Sequence, residues 1–185
     1  KKVTKYITLT NYGKEKFSRI SFIPANKIAI KSNPTPKISV DGCNKTKQIM
    51  YAGRLSPEKG ADTLIKAWLT LPNKFEYTLK IIGDGAERNM LEELAHGDNS
   101  ITFTGTLTKA QTLQEMANSA LLVSPSLCYE TFGLSPVEAM SIGTPVLISD
   151  LVNLFPIVQD NISGRYFKAG DINDLAAKLA ELLSD

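Results

Sequence analysis

The feature that most constrains the fold is a regular alternation of short apolar runs and helical patterns from Lys47 onward. The apolar runs predict strands, and the segments between them place apolar residues at helical spacing, as at Ala61, Leu64, Ile65 and Trp68. Such alternation is typical of a parallel sheet covered by crossover helices. The predicted strands are KQIMYAG, YTLKIIG, SITFTG, ALLVSPS, PVLIS and GRYFK. We therefore predict an α/β fold, a doubly wound, Rossmann-like parallel sheet of about six strands.

The first part of the chain has a different character. A polar helix is predicted around Tyr12 to Phe17, followed by the strand KIAIKS and by the connecting stretches NPTP and SVDGCN. With 185 residues, one main domain is the natural expectation. We assign residues 46–185 to this domain and residues 1–45 to a connecting segment.

The segment CYETFGLSPVEAMSIGTPV contains the residues that are most informative about chemistry. It follows LLVSPS, which predicts a buried parallel strand. Ser135 and Pro136 predict the first turn of a helix, because proline is tolerated there and serine is favourable. Glu130 then lies in the strand-to-helix loop, and Glu138 lies about one turn into the helix.

An anion site is predicted between these two glutamates. The backbone N–H groups of Phe132, Gly133 and Leu134 would lie at the positive end of the helix dipole. A carboxylate on each side of a phosphate site suits a ligand with hydroxyls at both ends and phosphate in the middle, such as a nucleotide-sugar. The simpler interpretation is a capped surface helix that carries two solvated glutamates.

Further motifs surround this segment in order. YAGRLSPEKGADTLIKAW, LKIIGDGAERNMLEELA and ITFTGTL precede it, and GTPVLISD follows it. Together with a glutamate pair separated by seven residues, they resemble the C-terminal half of the group 1 family of retaining, GT-B-type glycosyltransferases. The resemblance runs from about Ile7 to Leu183. It implies the donor-binding half of an enzyme that transfers a sugar from a nucleoside diphosphate, UDP favoured, to a glycan or lipid-linked acceptor. A preceding acceptor-binding domain is then expected as a partner, and residues 1–45 would form the end of that domain and the connection to residues 46–185.

The resemblance also implies residue roles. Arg54 offers planar, paired donors and Lys59 a compact charge, and both would neutralise the departing diphosphate. Glu138 would bind the ribose hydroxyls and Glu130 the donor sugar, so Arg54, Lys59 and Glu130 are the predicted catalytic residues. For the glycines after LKII, a tight turn is an equally good explanation. The other predicted substrate-binding residues are Gly53, Gly83, Gly85, Phe103, Thr104, Thr131, Phe132, Gly133 and Leu134.

Several other chemistries are disfavoured. A dinucleotide fingerprint is absent, because no G-x-G-x-x-G occurs. His96 is the only histidine and precedes a glycine at a predicted helix end, which argues against a Ser-His-Asp triad. Acid–base glycoside hydrolysis is disfavoured because Glu138 would lie behind the anion site. Neither a cofactor nor a metal is expected, with the nucleotide-sugar donor acting as co-substrate.

The charge distribution bears on possible partners. Residues 1–50 contain eleven Lys or Arg against two acids, whereas residues 51–185 contain ten against seventeen. The basic segment suits either an anionic membrane surface or, as we favour, a solvated surface facing another domain. Nucleic-acid binding is disfavoured because no nucleic-acid-binding motif accompanies the basic residues. The sequence favours a cytoplasmic protein, because its two cysteines lack metal-ligand spacing and no apolar run approaches membrane-spanning length. The alternative within this prediction is a cytoplasmic protein that contacts the inner face of the membrane peripherally.

One departure from the resembling family leaves alternatives open. The family usually has a glycine pair and an acidic residue after the GTPVLISD strand, but here Leu151, Val152 and Ile157 occupy those places. The geometry on the sugar side, and with it donor choice and activity, depends on this difference. The alternatives are a GT-B-type epimerase or phosphorylase, which usually lack these combined motifs, and a non-catalytic nucleotide-binding module.

Overall fold

The computed structural model describes residues 3–20, 22–33, 40, 42–130, 132–151 and 158–184. It contains eight strands and six α-helices within these residues. In chain order they are β1 (Tyr6–Thr8), α1 (Asn11–Ile20), β2 (Ile28–Ile30), β3 (Thr46–Ala52), α2 (Ala61–Thr70), β4 (Thr78–Ile82), α3 (Arg88–Leu94), β5 (Ile101–Gly105), α4 (Lys109–Asn118), β6 (Ser119–Ser124), α5 (Leu134–Ser141), β7 (Val146–Ser149), β8 (Gly164–Phe167) and α6 (Ile172–Ser184).

The main sheet has six strands in the order β5-β4-β3-β6-β7-β8. Every neighbouring pair is parallel. The first strand of the sheet, β3, is central. From it the chain adds β4 and β5 toward one edge, and then β6, β7 and β8 toward the other. This confirms the predicted doubly wound parallel sheet. The order reverses between β3 and β6, which leaves a crevice beyond their carboxyl ends.

Helices cover both faces of this sheet, so the central strands are buried on both sides. Ile49 and Tyr51 of β3 belong to the core on one face, together with α2, α3 and α6. Met50, between them, belongs to the core under α4 and α5 on the other face. Trp68 of α2 is fully buried, and its indole N–H donates to Ser100 Oγ at 2.9 Å. This two-sided burial explains why the strands are continuous apolar runs.

The helix limits follow local sequence signals. Helix α4 coincides with KAQTLQEMAN and begins with a capping box between Thr108 and Gln111. Before α6, the Asp171 carboxylate accepts hydrogen bonds from two N–H groups of the first turn, each 3.1 Å long, and so caps the helix. Of the three residues that depart from the resembling family after the GTPVLISD strand, Val152 and Ile157 lie outside the described residues.

The lead segment forms a second, smaller sheet. Strands β1 and β2 pair in parallel, from Tyr6 opposite Ile28 to Thr8 opposite Ile30, and α1 connects them. The helix and β2 were expected, whereas β1 was not predicted because three residues carry too little periodicity. No helix of the described chain is long and apolar enough to cross a lipid bilayer.

Candidate functional site

The crevice between β3 and β6 contains two adjoining cavities. One, of about 260 Å³, is lined by Glu130, and we call it the Glu130 cavity. The other, of about 310 Å³, is lined by Glu138, and we call it the Glu138 cavity. Both are lined by Arg54 and Ser135, so the loop after β3 and the start of α5 form their common wall. The two predicted carboxylates therefore lie at opposite parts of one cleft.

An ion pair dominates the Glu130 cavity. Lys59 Nζ lies 2.5 Å from Glu130 Oε1, and the Ser126 hydroxyl donates to the same oxygen at 2.6 Å. The side chains of Lys59 and Glu130 are only 24% and 17% exposed. Partial burial reduces screening by water, so this pair is stronger than an ordinary surface ion pair. The carboxylate is thus held in one position on the cavity wall.

Backbone contacts fasten the two loops that carry this pair. The Leu127 N–H donates to the Glu58 carbonyl at 2.9 Å. Gly60 has a φ of +66°, and a Cβ there would lie 2.2 Å from the Pro125 carbonyl oxygen. Only glycine permits both this conformation and this close approach. The chain around Lys59 is consequently held directly against the chain that leads to Glu130.

A second lysine–glutamate pair occupies the Glu138 cavity. Glu138 of α5 forms an ion pair with Lys109, the first residue of α4. The Glu138 side chain is 14% exposed, whereas Lys109 is 61% exposed and can move away at little cost. Both residues line the cavity.

Arg54 projects from the wall shared by the two cavities. Its side chain is 70% exposed and lies 3.7 Å from the Glu58 carboxylate, so it is free to turn toward a ligand. The loop itself is fixed, because the buried Tyr51 hydroxyl donates to the Arg54 carbonyl at 2.7 Å. Burial, reinforced by the negative charge of Glu130, raises the pKa of Tyr51. The phenol therefore remains protonated and keeps donating this hydrogen bond.

The structure brings most of the predicted residues together. Gly53, Phe132, Gly133 and Leu134 line the Glu130 cavity, in which Gly133 occupies the N-cap position of α5. The start of α5 therefore places the positive end of its dipole at the cavity wall. Thr131 lies outside the described residues.

Three predicted residues do not line the cleft. Phe103 packs against the core, and Thr104 is exposed and directs its hydroxyl to backbone carbonyls. Thr106 and Leu107, slightly further along, form the wall there. Gly85 also lies outside, whereas Gly83 lines the Glu138 cavity. A Cβ at Gly85 would lie 2.2 Å from the Leu55 carbonyl, so this glycine permits two loops to pack together.

Sequence interpretation missed Lys109, Ser126 and Ser135 as cleft residues. Ser135 donates to the Ala52 carbonyl at 3.0 Å and so attaches α5 to the end of β3. Ser126 follows the end of β6, a position that could have identified it, since ligand sites lie beyond carboxyl strand ends. No spacing rule connects Lys109 with Glu138, because they belong to different helices.

The cleft is chemically suited to an anionic ligand with polar groups at both ends. Arg54, Lys59 and Lys109 supply positive charge, and two carboxylates can accept hydrogen bonds from hydroxyl groups. Among the residues that the structure describes, no group of three or more His, Cys, Asp or Glu side chains could hold a metal ion.

Comparison with known proteins identifies relatives of the main domain. Residues 46–185 match the family model described as glycosyl transferases group 1. The sulfoquinovosyl transferase of Arabidopsis thaliana is 35% identical over 140 residues, which are 74% of this chain and 26% of that protein. The phosphatidyl-myo-inositol mannosyltransferase of Mycolicibacterium smegmatis is 30% identical over 139 residues, 74% of this chain and 36% of that protein. The chain thus spans about a third or less of these relatives' lengths.

A solved structure supports the fold over nearly the whole chain. The HepE protein of Anabaena, solved in complex with UDP and glucose, superposes with a TM-score of 0.84 and is 23% identical. The match covers 98% of this chain and 54% of that protein. It confirms the GT-B-type, Rossmann-like architecture.

Proposed function

The chain belongs to the group 1 glycosyltransferases, and from this premise we propose that it is the C-terminal, donor-binding half of a retaining transferase. It would take a nucleotide-sugar, UDP-sugar favoured, and transfer the sugar to a glycan or lipid-linked acceptor. The observation that carries this proposal is the position of Arg54 between two cavities, each lined by one glutamate of the spaced pair. The UDP and glucose bound to the Anabaena protein support the choice of ligand class.

The proposed ligand spans both cavities. The nucleoside lies in the Glu138 cavity, with its ribose hydroxyls donating to Glu138. The diphosphate lies at the shared wall, where Arg54 and the start of α5 face it, and the sugar enters the Glu130 cavity. The combined space is of the size that small-molecule sites occupy, about 300–1,000 Å³. This orientation is the one in which each carboxylate meets hydroxyl groups and the cations meet phosphate.

Transfer then depends on stabilising the charge of the leaving group. The bond between the anomeric carbon and the phosphate oxygen breaks, and negative charge develops on the diphosphate. Arg54 and Lys59 would neutralise that charge, which is an electrostatic contribution realised most fully in the transition state. In a retaining mechanism the acceptor hydroxyl attacks the same face and passes its proton to the departing phosphate oxygen.

Lys59 must change partners to play this part. It is now paired with Glu130, so it would bind phosphate only by rotating away from the carboxylate or by bridging both groups. A lysine ammonium has three donors and can bridge them. Glu130 would then be released to accept hydrogen bonds from the sugar hydroxyls.

A further domain would supply the acceptor side of the cleft. The chain covers about a third of the mycobacterial relative, which supports additional sequence in the whole enzyme. The β1–β2 sheet supports it as well, because two parallel strands rarely form a sheet without additional strands. Catalysis is therefore proposed for the two-domain protein and donor binding for this half.

Calorimetric titration with UDP, GDP and ADP, and then with their sugars, tests the proposal. We expect UDP to bind with a Kd of about 0.1–1 mM, because half of the cleft is supplied by this domain. Affinity should be equal with a chelator and with Mg²⁺, since the cations of the chain contact the phosphates directly. Strict dependence on Mg²⁺ would overturn the metal-free part of the proposal, and absence of nucleotide binding would overturn the donor site itself.

A further inference from the structure

The Glu130 carboxylate receives two different donors on one of its oxygens. Lys59 Nζ lies 2.5 Å and Ser126 Oγ lies 2.6 Å from Oε1. Among the residues that the structure describes, no hydrogen bond reaches the other oxygen, Oε2. Because Glu130 lines the cavity, that oxygen is available to accept a hydrogen bond from a ligand hydroxyl. One oxygen therefore attaches the carboxylate to the protein, and the other remains for a ligand.

Ser126 is held more firmly than Lys59. It is 2% exposed and follows the end of β6. Its carbonyl accepts a hydrogen bond of 2.6 Å from the hydroxyl of Ser149, the fully buried last residue of β7. The N–H of the same peptide unit, which belongs to Leu127, donates to the Glu58 carbonyl at 2.9 Å. Both polar groups of this peptide are thus fixed, whereas the Lys59 ammonium ends a flexible four-carbon chain.

Donor binding would remove one of the two donors. In the proposed function Lys59 turns from Glu130 toward the diphosphate, so the carboxylate loses its ion-pair partner. A glutamate side chain without a fixed donor gains rotational freedom, and ordering it against a sugar then costs conformational entropy. Ser126 is not displaced by this exchange, because its short side chain is buried and its backbone is fixed. Its bond to Oε1 is the contact that remains.

We propose that Ser126 is a positioning residue for the donor sugar. Its hydroxyl keeps Glu130 Oε1 in place after Lys59 has turned to the phosphate, so that Oε2 meets a sugar hydroxyl. The inference rests on the proposed function, because Glu130 is there assigned to the sugar. It adds a residue that acts through Glu130 and makes no contribution of its own to nucleotide binding. Loss of the Ser126 hydroxyl should consequently affect the UDP-sugar and spare UDP.

Titration with two ligands measures this difference. The 185-residue chain is titrated with UDP and with UDP-glucose, and binding is followed by ligand-detected NMR, which suits weak affinities. Ser126→Ala should weaken UDP-glucose by about three- to tenfold and change UDP by less than about twofold. Ser141→Ala is the control, because the Ser141 hydroxyl donates to a carbonyl of its own helix and lines neither cavity of the cleft. It should change neither affinity.

Two further variants separate positioning from packing. Glu130→Ala removes the carboxylate through which Ser126 acts, so adding Ser126→Ala to it should have no further effect on UDP-glucose. Ser126→Cys nearly preserves the side-chain volume, but its thiol is a weak donor. It should therefore resemble Ser126→Ala. Thermal unfolding establishes that each variant is folded at the temperature of the titration, and Ser126→Cys replaces Ser126→Ala in the comparison should the latter not fold.

The outcomes distinguish this inference from the proposed function. Equal weakening of UDP and UDP-glucose by Ser126→Ala would mean that Ser126 supports packing alone and would overturn the inference. Full UDP-glucose affinity in Ser126→Ala or in Ser126→Cys overturns it as well, as does an undiminished effect of Ser126→Ala in the Glu130→Ala protein. In each of these cases the donor site stands, because UDP still binds the parent chain. Failure of UDP to bind the parent chain overturns the donor site and the role of Ser126 together.

Discussion

Lys59 and Glu130 are joined by an ion pair of 2.5 Å in the cavity that would receive the donor. One of the two cations proposed to neutralise the diphosphate is therefore already paired with a carboxylate of the same cleft. Any anion that uses Lys59 competes with Glu130 or shares the ammonium with it. Because only Glu130 competes with the ligand for Lys59, substitutions of Glu130 and Glu138 should have different effects on ligand binding.

Arg54→Ala should weaken UDP binding by about 1–3 kcal/mol, the range for loss of charge-assisted hydrogen bonds. Its melting temperature should stay close to that of the parent, because an exposed loop cation contributes little to stability. Calorimetry and thermal unfolding measure the two quantities. Arg19→Ala removes an arginine that is 78% exposed in the lead segment and should change neither. Unaltered UDP affinity in Arg54→Ala would place the phosphate site elsewhere.

Glu130→Gln and Glu138→Gln should differ in the ligand that they affect. Glu138→Gln should weaken the binding of UDP itself, because Glu138 lies in the cavity proposed for the nucleoside. Glu130→Gln should leave UDP binding unchanged or slightly tighter, because it releases Lys59. The same substitution should weaken only the binding of the UDP-sugar. Titrating both variants with UDP and with a UDP-sugar tests this. The opposite pattern would mean that the nucleotide lies in the reverse orientation.

Gly83→Ala should destabilise the fold by about 2–4 kcal/mol. Gly83 has a φ of +137°, and a Cβ there would lie 1.8 Å from the Gly53 carbonyl oxygen, so the ends of β3 and β4 would have to separate. Gly97→Ala is the control, with a φ of +88° but nothing within 4 Å, and should cost about 1 kcal/mol. Urea unfolding measures both. Equal losses of unfolding free energy in the two variants would show that backbone strain alone, and not the contact with Gly53, destabilises Gly83→Ala.

Asp98→Asn should destabilise the protein by about 1–3 kcal/mol at neutral pH. Burial raises the pKa of Asp98, but hydrogen bonds from Lys74 and Ser100 outweigh it and hold the pKa below its ordinary value. Because the folded-state pKa is depressed, the carboxylate stabilises the fold above its unfolded pKa of about 3.9 and loses this contribution as pH falls through the folded pKa.

The difference between wild type and Asp98→Asn should accordingly shrink as the pH falls below about 4. Urea unfolding at several pH values measures it, and Glu93→Gln, at an exposed position on α3, should show no such trend. A difference that stays constant down to acid pH would contradict an electrostatic origin.

The main sheet was predictable because its strands are buried on both faces. Val146–Ser149 is buried at all four positions, so its apolar run is continuous and easily recognised. The position of the cleft agrees with the predicted fold class, since a doubly wound sheet has its crevice beyond the carboxyl ends of the strands. Arg54, Lys59 and the two glutamates were found because they belong to motifs at these ends.

Contacts between distant elements were not predictable. The Lys109–Glu138 pair joins two helices, and no local pattern reports which exposed lysine will reach which carboxylate. The stack of Tyr12 on Tyr129 depends in the same way on how the lead segment packs. Gly85 was interpreted as a ligand-facing residue, but its lack of a side chain serves the approach of the Leu55 backbone.

The contact between Gly60 and the Pro125 carbonyl has a consequence for rates. Together with the hydrogen bond from Leu127 to Glu58, it prevents the two loops from separating, so Lys59 can leave Glu130 only by rotation of its side chain. Rotation of a single side chain is faster than loop opening, which takes up to microseconds or longer. Nucleotide entry on this side of the cleft should therefore be limited by diffusion and orientation, with no slow step of loop opening.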